Sequence, residues 1–130
     1  MNPSRPDVVS GVSHEGATHH FLLAPDGGVI RLETTDDTRR EDRDRIRQHL
    51  QVVARSFAAG DFTFPMQVHA QTPPGVKTMR KMRKAIEYDY SPTDKGGEVR
   101  LSTSDPAARS AIHAFLRFQI EDHGTGDPIE

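Results

Sequence analysis

The chain reads as an α+β domain: a four-stranded, mainly antiparallel sheet with two long helices packed on one face and a short third helix. Three observations predict this. Residues 27–36 (GGVIRLETTD) and 96–105 (GGEVRLSTSD) share Gly-Gly, Arg-Leu, a Thr and a closing Asp, with Ile30 matched by Val99. Each copy follows an apolar or aromatic run and a proline turn, HHFLLAPD in one case and IEYDYSPTDK in the other. Each copy precedes a helical pattern with Ile-x-x-x-Leu spacing, Ile46/Leu50 and Ile112/Leu116. The unit is strand, turn, strand, helix, and its repetition is an internal duplication in which each apolar sheet face needs its twin and the helices to cover it.

Residues 1–17 hold two prolines, two glycines and no periodicity, and are read as a flexible N-terminal arm before a single domain at 18–124 and a C-terminal tail at 125–130. The first hairpin runs His19–Leu23, Pro25-Asp26-Gly27, Val29–Glu33, with Gly27 placed as the left-handed bulge residue closing a type I turn. Pairing Ala24 with Gly28 sets His20 opposite Leu32, which directs His20 to the core face and His19 to the other. The first helix is expected from near Thr38, capped by that hydroxyl with Glu41 bonding back, to about Ala59. Ile46, Leu50, Val53 and Phe57 form its stripe and RREDRDR its solvated face. Residues 61–74 read as an irregular connection and Pro74–Lys84 as the short helix. In the second hairpin Ile86, Tyr88 and Tyr90 alternate with Glu87 and Asp89. The last helix starts at Ser104 or Asp105 with Pro106 in its first turn, and its stripe is Ile112, Phe115, Leu116, Gln119 and Ile120.

A chain of 130 residues is the length of one domain. Hydrophobic residues at 34%, charged residues at 28% and a formal net charge of −2 describe a globular protein and not a basic nucleic-acid binder. The absence of cysteine excludes disulfides, thiolate-bound zinc, iron–sulfur clusters and thiol nucleophiles. No apolar run approaches the roughly 18 residues that span a bilayer. The chain as it stands is expected in the cytoplasm, and in the periplasm if an export leader has been removed. Gly-x-Ser-x-Gly, phosphate-cradling glycine loops and HExxH are all missing, so nothing points to an enzyme.

Seven histidines are the compositional excess that could carry chemistry. Neutral imidazole suits zinc, copper and nickel, and imidazoles from different elements can converge on one ion. The candidate ligands are His20 on the predicted core face, His49 and His113 on the flanks of the two long helices, and His69, which forms a Met-x-x-His pair with Met66. The competing roles are a hydrogen-bonded core histidine for His20, half-exposed surface residues for His49 and His113, and loop packing for His69. His49 and His113 flank opposite sides of their stripes, so a direct chelate between them within one chain is not expected. Lys77, Arg80, Lys81, Arg83 and Lys84 make the short helix basic; with no stacking aromatics beside them, they read as a solvated face and make nucleic acid an unlikely partner.

HHFLLAPDGG, FAAGDF, TPPGV and FLRFQIEDHGTGDP together resemble a group of small bacterial proteins of uncharacterised function, several with an export leader. The likeness spans His19 to Pro128. It implies no catalytic residues, and it raises a periplasmic setting in which zinc or copper handling has a place. The expectation is a small binding protein with a histidine-built transition-metal site. The alternative is a protein-interaction or dimerisation domain without metal, joined as a homodimer through its sheet edge or open face.

Overall fold

Alternating apolar side chains make the strands, and two-residue turns fold them into hairpins. The computed structural model describes residues 17–35, 40–62, 74–123 and 125–127. Its elements run β1 (Ala17–Ala24), β2 (Gly27–Thr34), α1 (Arg40–Ala58), α2 (Val76–Lys81), a 3-10 turn (Arg83–Ala85), β3 (Glu87–Thr93), β4 (Gly96–Ser102) and α3 (Pro106–His123). The four strands form one antiparallel sheet in the order β1-β2-β4-β3, which confirms the α+β class, with the helices on one face. No helix among the described residues is long and apolar enough to cross a membrane.

The central β2–β4 pair is symmetric in the repeat. Ile30 faces Val99, Gly27 faces Ser102, and Glu33 faces Gly96. The hairpins match as well, Ala24 pairing with Gly27 across Pro25-Asp26 and Thr93 with Gly96 across Asp94-Lys95. A Cβ on Gly27 would lie 2.0 Å from the Leu101 carbonyl oxygen, and one on Gly96 would lie 2.2 Å from that of Leu32. At both ends of the central pair, therefore, the strands approach at a distance only glycine allows.

This pairing corrects the expected register of the first hairpin. Ala24 pairs with Gly27 and not Gly28, so His20 lies opposite Arg31, and His19 opposite Leu32. Gly27, with a φ of 150°, stays in the ladder instead of bulging out of it. Because strand side chains alternate, that single residue exchanges the faces: His19 joins Phe21 and Leu23 beneath the helices, and His20 moves to the helix-free face.

The helices end where their sequence directs. Asp105 caps α3, its Oδ1 accepting the N–H groups of Ala107 at 2.9 Å and Ala108 at 3.0 Å ahead of the Pro106-initiated turn. Gly60, with a φ of 82°, closes α1 in a Schellman arrangement: the Gly60 N–H bonds the Phe57 carbonyl and the Asp61 N–H that of Ser56. The expected Thr38 cap lies outside the described residues. The basic stretch forms less helix than its pattern suggested, since α2 stops at Lys81 and the chain tightens to a 3-10 turn.

Each long helix covers the other unit's hairpin. Helix α1 packs on β3 and β4, and α3 packs on β1 and β2. Leu50 of α1 sits over Gly97, and Leu116 of α3 over Gly28, the repeat-equivalent position. Ile46, Leu50, Val53 and Phe57 meet Ile112, Phe115, Leu116 and Ile120 in one buried cluster with Leu32, Val99 and Leu101. Phe62 stacks on Phe57 with centroids 4.4 Å apart, and Phe57 meets Phe115 and Tyr88 edge-on at 5.9 Å. Val76 and Met79 seat α2 in the same cluster. Gly96→Ala is expected to lower stability by about 1–3 kcal/mol, the usual cost of forcing extra atoms into a filled space. Ser91→Ala, on exposed β3, should change it by less than about 0.5 kcal/mol. Urea-unfolding midpoints compare the two.

Candidate functional site

The candidates that lie among the described residues, His20, His49 and His113, do not converge. Among the described residues no three His, Asp or Glu side chains are placed to hold a metal ion. His69 lies outside the described residues, and the remaining three occupy separate parts of the molecule.

His113 is a clamp. Its Nε2 lies 2.8 Å from the carbonyl oxygen of Ala24 at the first hairpin turn, a contact in which the ring donates and the carbonyl accepts. At the equivalent place in α1 stands Arg47, one residue after Ile46 as His113 is one after Ile112. Its Nε donates to the Gly96 carbonyl at 2.8 Å and its Nη2 to that of Thr93 at 2.6 Å. Thr93 and Ala24 are themselves equivalent hairpin positions. In each unit, then, a helix side chain donates to carbonyls at the closing pair of the other unit's hairpin. Arg47 was not singled out from sequence; aligning Ile46 with Ile112 would have shown it beside His113.

His49 is half-buried on α1, and burial, which penalises the charged form, lowers its pKa from the ordinary 6.5. Tyr88 is held neutral by the same cause, its phenol raised by burial and its hydroxyl shielded from solvent.

His20 has the most organised surroundings. Its side chain is 41% exposed on the helix-free face, and Nδ1 lies 3.0 Å from Oδ1 and 3.3 Å from Oδ2 of Asp127. The Asp127 carboxylate is only 11% exposed, and its Oδ2 also accepts the Phe21 backbone N–H at 3.1 Å. Burial alone would raise the Asp127 pKa. The hydrogen bonds from His20, Thr125 and the Phe21 N–H, together with the His20 charge, outweigh it and hold the carboxyl below its ordinary value. The tail at 125–127 is thus tied to the sheet, where the sequence suggested only a helix stop. No local spacing could reveal a contact between residues 20 and 127.

The rest of the helix-free face is patterned by charge. Arg31 and Glu98 are register partners on the central strands, with Nη2 and Oε1 3.0 Å apart. Arg100 reaches Asp26 at 3.1 Å. Leu22 and Val29, paired across β1 and β2, form an apolar island between these ion pairs. The basic side chains of α2 and the 3-10 turn are exposed, and two of them serve locally: Arg80 Nε bonds the Gly60 carbonyl at 3.2 Å, and Arg83 bonds that of Arg80.

The chain matches no family model, no curated protein and no solved structure. The fold defines it as an α+β protein with an open, four-stranded antiparallel sheet.

His49 makes a pH prediction. Because its folded pKa is depressed, the unfolded chain binds a proton there more readily than the native one. The corresponding stability is present above pH 6.5 and is lost as pH falls toward the folded value. His49→Gln is expected to flatten the dependence of the urea midpoint on pH below 6.5; an unchanged slope would show that the imidazole titrates no differently on unfolding.

Proposed function

We propose that the protein is a non-enzymatic binding module that meets a protein partner through the helix-free face of its sheet. One observation carries this reading: among the described elements all helices lie on one side, and the other side presents the Arg31–Glu98 and Arg100–Asp26 ion pairs beside the partly exposed Leu22. Flat, rigid, mixed polar and apolar surfaces of this kind suit protein contacts, since ion pairs fix register while a small apolar centre excludes water. The matched registers of the two hairpins support reading the units as a duplication. A photo-crosslinking residue placed at Glu33 or Ser91 on this face is expected to give a discrete adduct in cells, and one at Gln51 or Val52 on the exposed side of α1 none. Adducts confined to the helix positions, or equal at both, would reverse the assignment.

The second reading is a transition-metal site built on His20. It is favoured by the Asp127 carboxylate, which orients the imidazole as outer carboxylates orient metal-bound histidines. Zinc, copper or nickel would then need further ligands from His69 or from a second copy. Metal analysis of untagged, dialysed protein tests it: a stoichiometric ion that His20→Ala removes supports the site, and metal-free protein after exposure to all three ions counts against it.

A further inference from the structure

The charges of this chain are not mixed evenly. Lys and Arg number 17 against 19 Asp and Glu, yet residues 77–84 (KTMRKMRK) hold five cations and no carboxylate, so the rest of the chain is net acidic. Lys77, Arg80, Lys81, Arg83 and Lys84 are all exposed, on α2 and the 3-10 turn that follows it. Val76 and Met79 face the other way and are fully buried. Among the described residues none of the five takes part in an ion pair, whereas Arg31, Arg43 and Arg100 each meet a carboxylate. Arg80 and Arg83 are fixed by neutral acceptors instead, the carbonyls of Gly60 and Arg80, which leave the charge uncompensated. Both side chains lie across Gly60, where a Cβ would stand 3.0 Å from Arg83 Cδ and 3.4 Å from Arg80 Cγ. A face that is merely solvated mixes signs, as RREDRDR of α1 does. Here Lys77 and Lys81, four apart on one helix face, repel each other with no acid between them.

We infer that this basic patch is a second docking surface, and that its occupant is a short acidic segment of a partner protein. The size of the patch selects that occupant. The six residues of α2 span only about 9 Å at a rise of about 1.5 Å each, and the exposed Glu87 and Asp89 follow within five residues of Lys84. A few clustered Asp or Glu side chains match the cations inside that span. Duplex nucleic acid carries a charge every ~1.7 Å along its axis and would extend over the neighbouring carboxylates. A single strand would find no aromatic within residues 77–84 to stack on. Helices that bind a membrane surface insert apolar side chains, and those of α2, Val76 and Met79, are already committed to the core. With Arg80 and Arg83 anchored in advance, less side-chain freedom is lost on binding. The patch lies on the helix side of the sheet, so it stands apart from the face proposed above.

The probe is a fluorescein-labelled short peptide of alternating Glu and Gly, followed by fluorescence anisotropy at low and high salt and by amide NMR shifts. Binding is expected to weaken as salt rises, with shifts centred on residues 77–84 and none on β1 or β2. Lys77→Gln, Lys81→Gln and Lys84→Gln together should weaken it at least about tenfold, and Arg40→Gln with Lys95→Gln, exposed cations elsewhere, by less than about twofold. The pair Lys77→Gln and Lys81→Gln alone, confined to the solvent side of α2, should give an intermediate loss. Shifts spread over every basic residue, or equal weakening in the two sets of variants, would reduce the patch to general electrostatics and overturn the inference. Absence of binding at millimolar peptide would overturn it as well. A DNA duplex, or vesicles of phosphatidylglycerol, bound more tightly than the peptide and released by the same lysine changes would overturn the choice of occupant and assign the patch to that polyanion.

Discussion

The close approach of β2 and β4 is the constraint on which the rest of the structure depends. Gly27 and Gly96 stand where a Cβ would meet the opposite strand's carbonyl, at Leu101 and Leu32 respectively. Because the two contacts are repeat-equivalent, they lock the hairpins in one register, with Ile30 against Val99 at the centre. A slip of β2 by one residue against β4 would bring Val29 and Arg31 under the helices in place of Ile30 and Leu32, exchanging part of a filled core for charge.

From that register follows the exchange of helices. Leu50 over Gly97 and Leu116 over Gly28 are possible only because each glycine leaves a hollow in the other unit's hairpin. Arg47 and His113 then reach the turn carbonyls beyond those hollows. Each unit's sheet face is covered mainly by the other unit's helix, so much of its cohesion lies between units. The two halves should consequently unfold together, as expected of a single cooperative domain of this size.

Periodicity made the elements legible. The apolar stripes of α1 and α3, the two alternating hairpins and the Asp105–Pro106 helix start could be read because each depends on residues a few positions apart. The register of β1 could not, because it turned on whether Gly27 is skipped as a bulge or kept in the ladder. That choice is made by β4, more than seventy residues away, whose Leu101 carbonyl requires a residue without a side chain at that point. The Asp127 contact was illegible for the same reason. Its partners are fixed by where α3 delivers the chain, and the length of a helix says nothing of what lies beside its end.

The histidines show how composition can mislead about chemistry. Imidazole is a ligand, an acid–base group and also a compact hydrogen-bond donor on a rigid ring, and the last property accounts for two of the candidates. At one turn the donor is a guanidinium, which reaches two carbonyls; at the equivalent turn it is the ring of His113, which reaches one. The exchange of arginine for histidine at matched positions indicates that the turn demands a donor of a certain reach and leaves its identity open. His20 obeys similar logic at the sheet edge, where its ring helps draw Asp127 onto the Phe21 N–H. A carboxylate that is largely buried must be met by donors, and His20 and the strand edge supply them together. The edge strand that lacks protecting charges of its own is thus covered by one borrowed from the far end of the chain.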